Sequence, residues 1–167
     1  MEEIVLSFNP EWYEDIIRGR KRFEYRKNFL KEPCIAYIYL TSPQKIFVSK
    51  IWFGKGEKLS SICDKLQDKG DILIRVNNFI EQYGDQYAIP ILKIQSIEDI
   101  SLEEIRKEIP NYIPPRTYSY LKNNEVLYRY LSKVKKERNI IKFDYIKDDY
   151  KELCNRQNFL MHNNTVT

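Results

Sequence analysis

The sequence predicts a small α+β domain built on a curved or barrel-like sheet. Short β-branched and aromatic runs interleave irregularly with amphipathic stretches, which suits a sheet with flanking helices. A length of 167 residues suits one compact domain rather than two. Glycine occurs only 5 times and nowhere as the Gly-rich first turn that a doubly wound parallel sheet requires. With 43% hydrophobic and 31% charged residues, the chain has the composition of a globular protein.

The elements follow in order. Glu3–Phe8 is largely apolar and β-branched, hence a strand. Asn9-Pro10 supplies an N-cap and a proline for the first helical position, Trp12, Ile16 and Ile17 recur at helical spacing, and Gly19 follows as a C-cap. A helix is therefore expected over about Pro10–Arg18. Lys21–Lys27 alternates, with Phe23 and Tyr25 on one face and Arg22, Glu24 and Arg26 on the other. Ile35–Leu40 and Ile46–Phe53 are two further strands around the turn Thr41-Ser42-Pro43. Leu59–Lys69 and Ile72–Tyr83 read as helices, and Tyr87–Ile100 as a long strand in which Pro90 marks an edge or bulge. Ser101-Leu102-Glu103-Glu104 has the pattern of a capped helix. Asn111–Tyr120, with two adjacent prolines, reads as irregular, and Asn124–Lys136 as a helix with Val126, Leu127, Tyr130, Leu131 and Val134 inward. The chain divides into a domain over 1–138, with a helical insertion at 59–83, and a C-terminal extension over 139–167 that packs in part and frays over Asn163–Thr167.

Composition removes several chemistries. Cys34, Cys63 and Cys154 are odd in number and form no CxxC pair, so neither a disulfide framework nor a zinc knuckle is expected, and Cys34 and Cys63 read as buried small hydrophobes. With His162 the single histidine, Ser-His-Asp, Cys-His and multi-histidine metal sites lack their parts. No cofactor or metal is implied. No apolar run approaches the roughly 20 residues of a membrane span, and the acidic Met1-Glu2-Glu3 is unlike a signal peptide. A reduced, cytoplasmic, non-membrane protein is expected.

The net charge is a modest +4, but it is unevenly placed. Seven basic residues lie between Arg18 and Lys31, and a second cluster comprises Arg129, Lys133, Lys135, Lys136 and Arg138 on a segment of helical pattern. Such runs are ordinarily solvated faces. Two local clusters on a nearly neutral chain also suit phosphate contact, which points to Arg20, Arg22, Lys27, Lys133 and Lys136.

The most specific stretch is Gly19-Arg20-Lys21-Arg22-Phe23-Glu24-Tyr25-Arg26. Glu24 and Arg26 share a strand face, so they either pair with each other or grip a ligand, the guanidinium holding a carboxylate or phosphate with two hydrogen bonds. Lys21, just after a glycine turn, can bring a point charge to the same place. Thr41 and Ser42 offer hydroxyls at a turn, although turn-making beside Pro43 is their commoner role. Most aromatics of so aromatic a domain must be core; Trp12 and Tyr118 are the best candidates for exposed base stacking.

Preceded by a strand and a helix, this stretch resembles the signature G-x-K-x-x-E-x-R of the ASCH domain, in the PUA-like superfamily, through Gly19, Lys21, Glu24 and Arg26. Tyr39-Leu40-Thr41-Ser42-Pro43 is similar to the family's aromatic-x-Thr-Ser-Pro turn. Tyr87-Ala88-Ile89, Ile100-Ser101-Leu102 and Pro114-Pro115-Arg116-Thr117-Tyr118 resemble its C-terminal part, so that the likeness runs over about Ile4–Leu121. It implies a PUA-like small β-barrel with flanking helices, here with a C-terminal helical extension. It also implies RNA or modified-nucleoside binding in a basic cleft lined by Lys21, Glu24 and Arg26, with Thr41 and Ser42 at the rim. Some small ASCH proteins are instead hydrolases that deacetylate N4-acetylcytidine with a Lys, a Thr and a later Glu. Here Lys21 matches, Glu24 occupies the threonine position, and Glu81 and Glu98 are candidates for the later Glu by order only. Ribonuclease activity is known among ASCH proteins too, so Lys21 and Glu24 are the catalytic candidates if the chain is an enzyme. A regulatory, partner-binding role is the remaining alternative.

Overall fold

A computed structural model describes residues 1–66, 70–144, 147 and 149–155, with the side chain of Arg138 left out. The chain forms, in order, β1 (Glu2–Phe8), α1 (Pro10–Ile17), β2 (Phe23–Arg26), β3 (Cys34–Leu40), β4 (Ile46–Phe53), β5 (Glu57–Lys58), α2 (Leu59–Lys65), α3 (Gly70–Tyr83), β6 (Tyr87–Ser101), α4 (Leu102–Glu108), β7 (Tyr118–Tyr120), a 3₁₀ turn at Leu121–Asn123, α5 (Glu125–Lys133) and β8 (Lys136–Lys142). The strands form one sheet in the order β2-β6-β4-β3-β1-β7. Neighbours are antiparallel except β1 and β3, which run parallel from Glu2↔Cys34 to Phe8↔Leu40. β6 is the hub: β4 and then β5 pair along one side, while β2 and β8 follow one another along the other. The sheet curls into a half-barrel, the fold class expected.

Three hydrophobic clusters hold it. The first fills the curled sheet and is crossed by a row of paired residues, Ile4, Ala36, Ile51, Ile94 and Ile141. The second packs Val5, Tyr37, Phe47 and Ile100 under Leu102, Ile105, Leu127 and Leu131 of α4 and α5. The third joins Phe23 and Ala88 to α2 and α3 through Leu59, Ile62, Val76 and Phe79, and takes in Tyr150, Leu153 and Cys154. Burial of each such aliphatic side chain contributes roughly 1.5–3 kcal/mol.

Local chemistry sets several boundaries where the sequence placed them. Asn9 caps α1 by accepting the Glu11 N–H at 2.9 Å, with Pro10 first in the helix. Gly19 adopts the left-handed φ of 72° just past the helix end. Ser101 and Glu104 form a reciprocal capping box. Pro90 sits at a register shift rather than an edge: between Trp52↔Lys93 and Phe53↔Ile91 the β4–β6 pairing slips, and Pro90 accepts the Gly54 N–H at 2.9 Å.

Other boundaries moved. α5 ends at Lys133 because Val134 is already extended (ψ 137°), and Lys136–Lys142 pairs with β6 as a strand. The second basic cluster is therefore split between a helix end and a strand, and Val126 points outward, 53% exposed. The extension expected to be helical has no helix among the described residues: it opens with β8, which spans the 138/139 boundary, and continues in turns. Tyr118–Tyr120, expected to be irregular, pairs with β1. In both cases an unpaired strand edge supplies hydrogen bonds that local propensity does not reveal. Cys63, expected in the core, is only partly buried, and its Sγ lies 3.5 Å from Asn77 Oδ1. The fraying expected at Asn163–Thr167 lies outside the described residues.

Candidate functional site: a buried Lys–Glu–Arg triad

In β2, Glu24 pairs with Ile89 and Tyr25 with Ala88. Ile89 belongs to the cluster inside the curled sheet and Ala88 to the cluster under α2 and α3. Paired residues share a face, so Glu24 looks into the half-barrel and Tyr25 away from it. Glu24 is wholly buried and Lys21 is 5% exposed.

A carboxylate inside an apolar core requires counter-charge and hydrogen bonds. Arg26 Nε donates to Glu24 Oε1 at 2.7 Å, and Lys21 Nζ stands 3.0 Å from Oε2. The lysine contact supplies charge without hydrogen-bond geometry, and Oε2 accepts no hydrogen bond from the described residues. The Lys21 ammonium lies 5.3 Å from the Trp12 ring centroid and 5.5 Å from that of Tyr25. Arg26 lies 5.4 Å from the Phe8 ring and donates through Nη2 to Ser7 O at 3.1 Å.

The surroundings are held from both sides. Arg20 N and Lys21 N both donate to Asp15 O, at 2.9 and 3.0 Å, which fixes the turn that delivers Lys21. Ser7 donates its N–H to Thr117 O at 3.1 Å and its hydroxyl to Pro115 O at 2.6 Å, so the proline loop lies beside the carbonyl that Arg26 uses. Behind the strand, the Tyr25 hydroxyl accepts the Cys154 N–H at 2.9 Å, tying the C-terminal extension to β2. Burial pushes the Tyr25 hydroxyl well above its ordinary range and the Cys154 thiol up to about 12, so both stay protonated at neutral pH.

The structure thus brings Lys21, Glu24, Arg26 and Trp12 together. Thr41 is half-buried at the end of β3, donating its N–H to Phe8 O at 3.0 Å, and Ser42 is exposed beyond it. Tyr118 is half-buried, edge-on to Phe29 at 5.6 Å and to Tyr120 at 5.8 Å, and Trp12 also packs on the first core cluster. Both aromatics are therefore less open than exposed stacking surfaces would be. Because β2 begins at Phe23, Arg22 does not join the Glu24 face: its guanidinium lies 4.3 Å from the Phe143 ring centroid. Arg20 is committed to Asp15, with Nη2 2.7 Å from Oδ1. Lys27 is exposed past the end of β2.

Lys133 and Lys136 are exposed, but the fold confronts the α5 cations with carboxylates. A groove of about 640 Å³ sets Arg129, Lys133 and Lys135 against Glu98, Asp99, Glu104 and Glu108. Of the two later glutamates, Glu81 is exposed on α3 and Glu98 lies in this groove; both stand on other elements than the triad. Ser7, Phe8 and Asp15 are the members sequence reasoning missed. Only Asp15, polar on an otherwise apolar helix face, gave any signal.

The curled α+β half-barrel has the fold of solved ASCH structures. The crystal structure of ASCH from Zymomonas mobilis matches with a TM-score of 0.59 and 19% identity, over 80% of this chain and 96% of that one. A tyrosine-to-phenylalanine variant of the Zymomonas mobilis protein gives 0.59 and 18%, over 81% and 100%. No family model and no curated protein matches the chain. Among the described residues no helix is long and apolar enough to cross a membrane, and no cluster of His, Cys, Asp and Glu could hold a metal ion.

Proposed function

We propose that this chain is a nucleic-acid-binding module of the kind that reads RNA or a modified nucleoside, with the base received at Lys21, Glu24 and Arg26. The observation that carries the reading is Glu24 Oε2, a fully buried carboxylate oxygen that has a charge partner and no hydrogen bond among the described residues. Such an oxygen suits an N–H donor on a planar ligand, and carboxylates accept from the exocyclic amine of cytosine in this way. Lys21 and Arg26 set positive charge on either side of the carboxylate and leave Oε2 as the acceptor such a donor needs. Trp12, beside the Lys21 ammonium, supplies an aromatic face once Lys21 swings aside. Arg22 and Lys27 flank the strand for phosphate contact, with Thr41, Ser42 and Tyr118 at its rim.

The test is a titration with cytidine, N4-acetylcytidine, methylated nucleosides and a short single-stranded RNA, read by thermal shift and by chromatography. Salt-sensitive stabilisation without conversion, lost in Lys21→Ala and Arg26→Ala, is the expected result. Conversion of an acylated nucleoside, lost in Lys21→Ala, would replace binding with hydrolysis. No stabilisation by any of them would refute the reading and favour a partner-binding role.

A further inference from the structure

We propose a second nucleic-acid surface, on the outer face of the sheet around Trp52, that binds single strands independently of the triad. It goes beyond the function proposed above, since it needs nothing in the half-barrel interior. Its basis is the register of five strands. One row of laterally paired residues runs Glu3, Ile35, Trp52, Lys93 and Lys142. The next row on the same face runs Val5, Tyr37, Lys50, Gln95 and Ile140, while Ile4, Ala36, Ile51, Ile94 and Ile141 between them point inward. The fold assembles this face from residues that lie far apart in the sequence.

Helices α4 and α5 cover Val5 and Tyr37 in the second cluster, but the Trp52 row stays half-exposed and Lys142 and Ile140 are exposed. Lys93 Nζ stands 4.1 Å from the Trp52 ring centroid and Lys50 Nζ 5.6 Å from it. Lys50 is neutralised by Glu3 at 3.2 Å, whereas Lys93 and Lys142 form no ion pair among the described residues; Lys142 also borders a groove with Asp144, Asp149 and Glu152. The patch is thus an aromatic ring beside the Lys93 ammonium, which has no ion-pair partner among the described residues, with Lys142 next to Lys93 on the neighbouring strand. That is the chemistry single-stranded nucleic acid asks of a protein: a π-face for a base and cations for the phosphates on either side. A base replaces the Lys93 ammonium over the ring, because an exposed cation–π contact is weaker than a base stack, and the freed ammonium takes a phosphate.

The chain's two tryptophans make the test direct. In Trp12→Phe, Trp52 is the sole tryptophan, and a short single-stranded RNA should quench its fluorescence. Two phosphate contacts on a single strand give a slope of log affinity against log salt of about −1.4. Lys93→Glu/Lys142→Glu should keep the melting temperature and lose about tenfold or more in affinity. Should that variant fold poorly, Lys93→Gln alone should flatten the slope by about 0.7. Unchanged Trp52 emission, or a quench indifferent to these lysines, would overturn the proposal. The converse protein, Trp52→Phe, reports through Trp12 beside Lys21 and reads the triad alone, so either site can fail without the other.

Discussion

Replacing Glu24 by alanine should destabilise the fold far more than a typical ion-pair deletion. At the observed 2.7 and 3.0 Å, each of its contacts has a gross attraction of about 5–6 kcal/mol at an effective dielectric constant of about 20. Desolvating the three charges offsets most of this, so the triad as a whole adds little net stability. Removing the carboxylate alone leaves Lys21, 5% exposed, without a counter-charge, and that costs about 3–5 kcal/mol. For a chain of this length the melting temperature falls by roughly 6–20 °C. Urea unfolding of wild type, Glu24→Ala and the triple variant Lys21→Met/Glu24→Leu/Arg26→Met separates two meanings of the triad. If it serves a ligand, the apolar triple variant folds with about wild-type stability and loses nucleoside binding. A loss below about 1 kcal/mol for Glu24→Ala would refute the premise that this carboxylate is buried between two cations.

Three further outcomes follow from the geometry. A Cβ on Gly54 would meet Pro90 Cγ at 2.8 Å at the β4–β6 register shift, so Gly54→Ala should cost about 1–3 kcal/mol in chemical unfolding. Leu153→Ala, in the third cluster, should cost about 2–5 kcal/mol while leaving nucleoside affinity unchanged, which calorimetry and a binding titration can check together. The Glu104 carboxyl is held below its ordinary value of 4.5 by hydrogen bonds from the Ser101 backbone N–H and hydroxyl. Its contribution is therefore complete above pH 4.5 and is lost as pH falls through the lower folded value; a stability–pH profile should lose this acid limb in Glu104→Gln.

The sequence by itself determined those features whose physics is local. Asn9-Pro10 starts α1, Ser101 and Glu104 cap α4, and the alternation of β2 puts Glu24 and Arg26 on one face. The motif that resembles the ASCH signature marked the strand that now carries the triad. Which face of β2 is buried was not legible, because a strand bearing Arg22, Glu24 and Arg26 on one side reads as polar outward. The half-barrel turns Glu24 and Arg26 inward, since Phe23 and Tyr25 have the α2–α3 cluster to fill on the other side. Only the tertiary structure decided that Lys136–Lys142 is a strand, because the β6 edge it satisfies lies some forty residues earlier in the chain. The same reason placed four carboxylates opposite the α5 cations and aligned Trp52 with Lys93 and Lys142. Strand register is set by the summed burial of a whole sheet face, and that sum is not contained in any one segment.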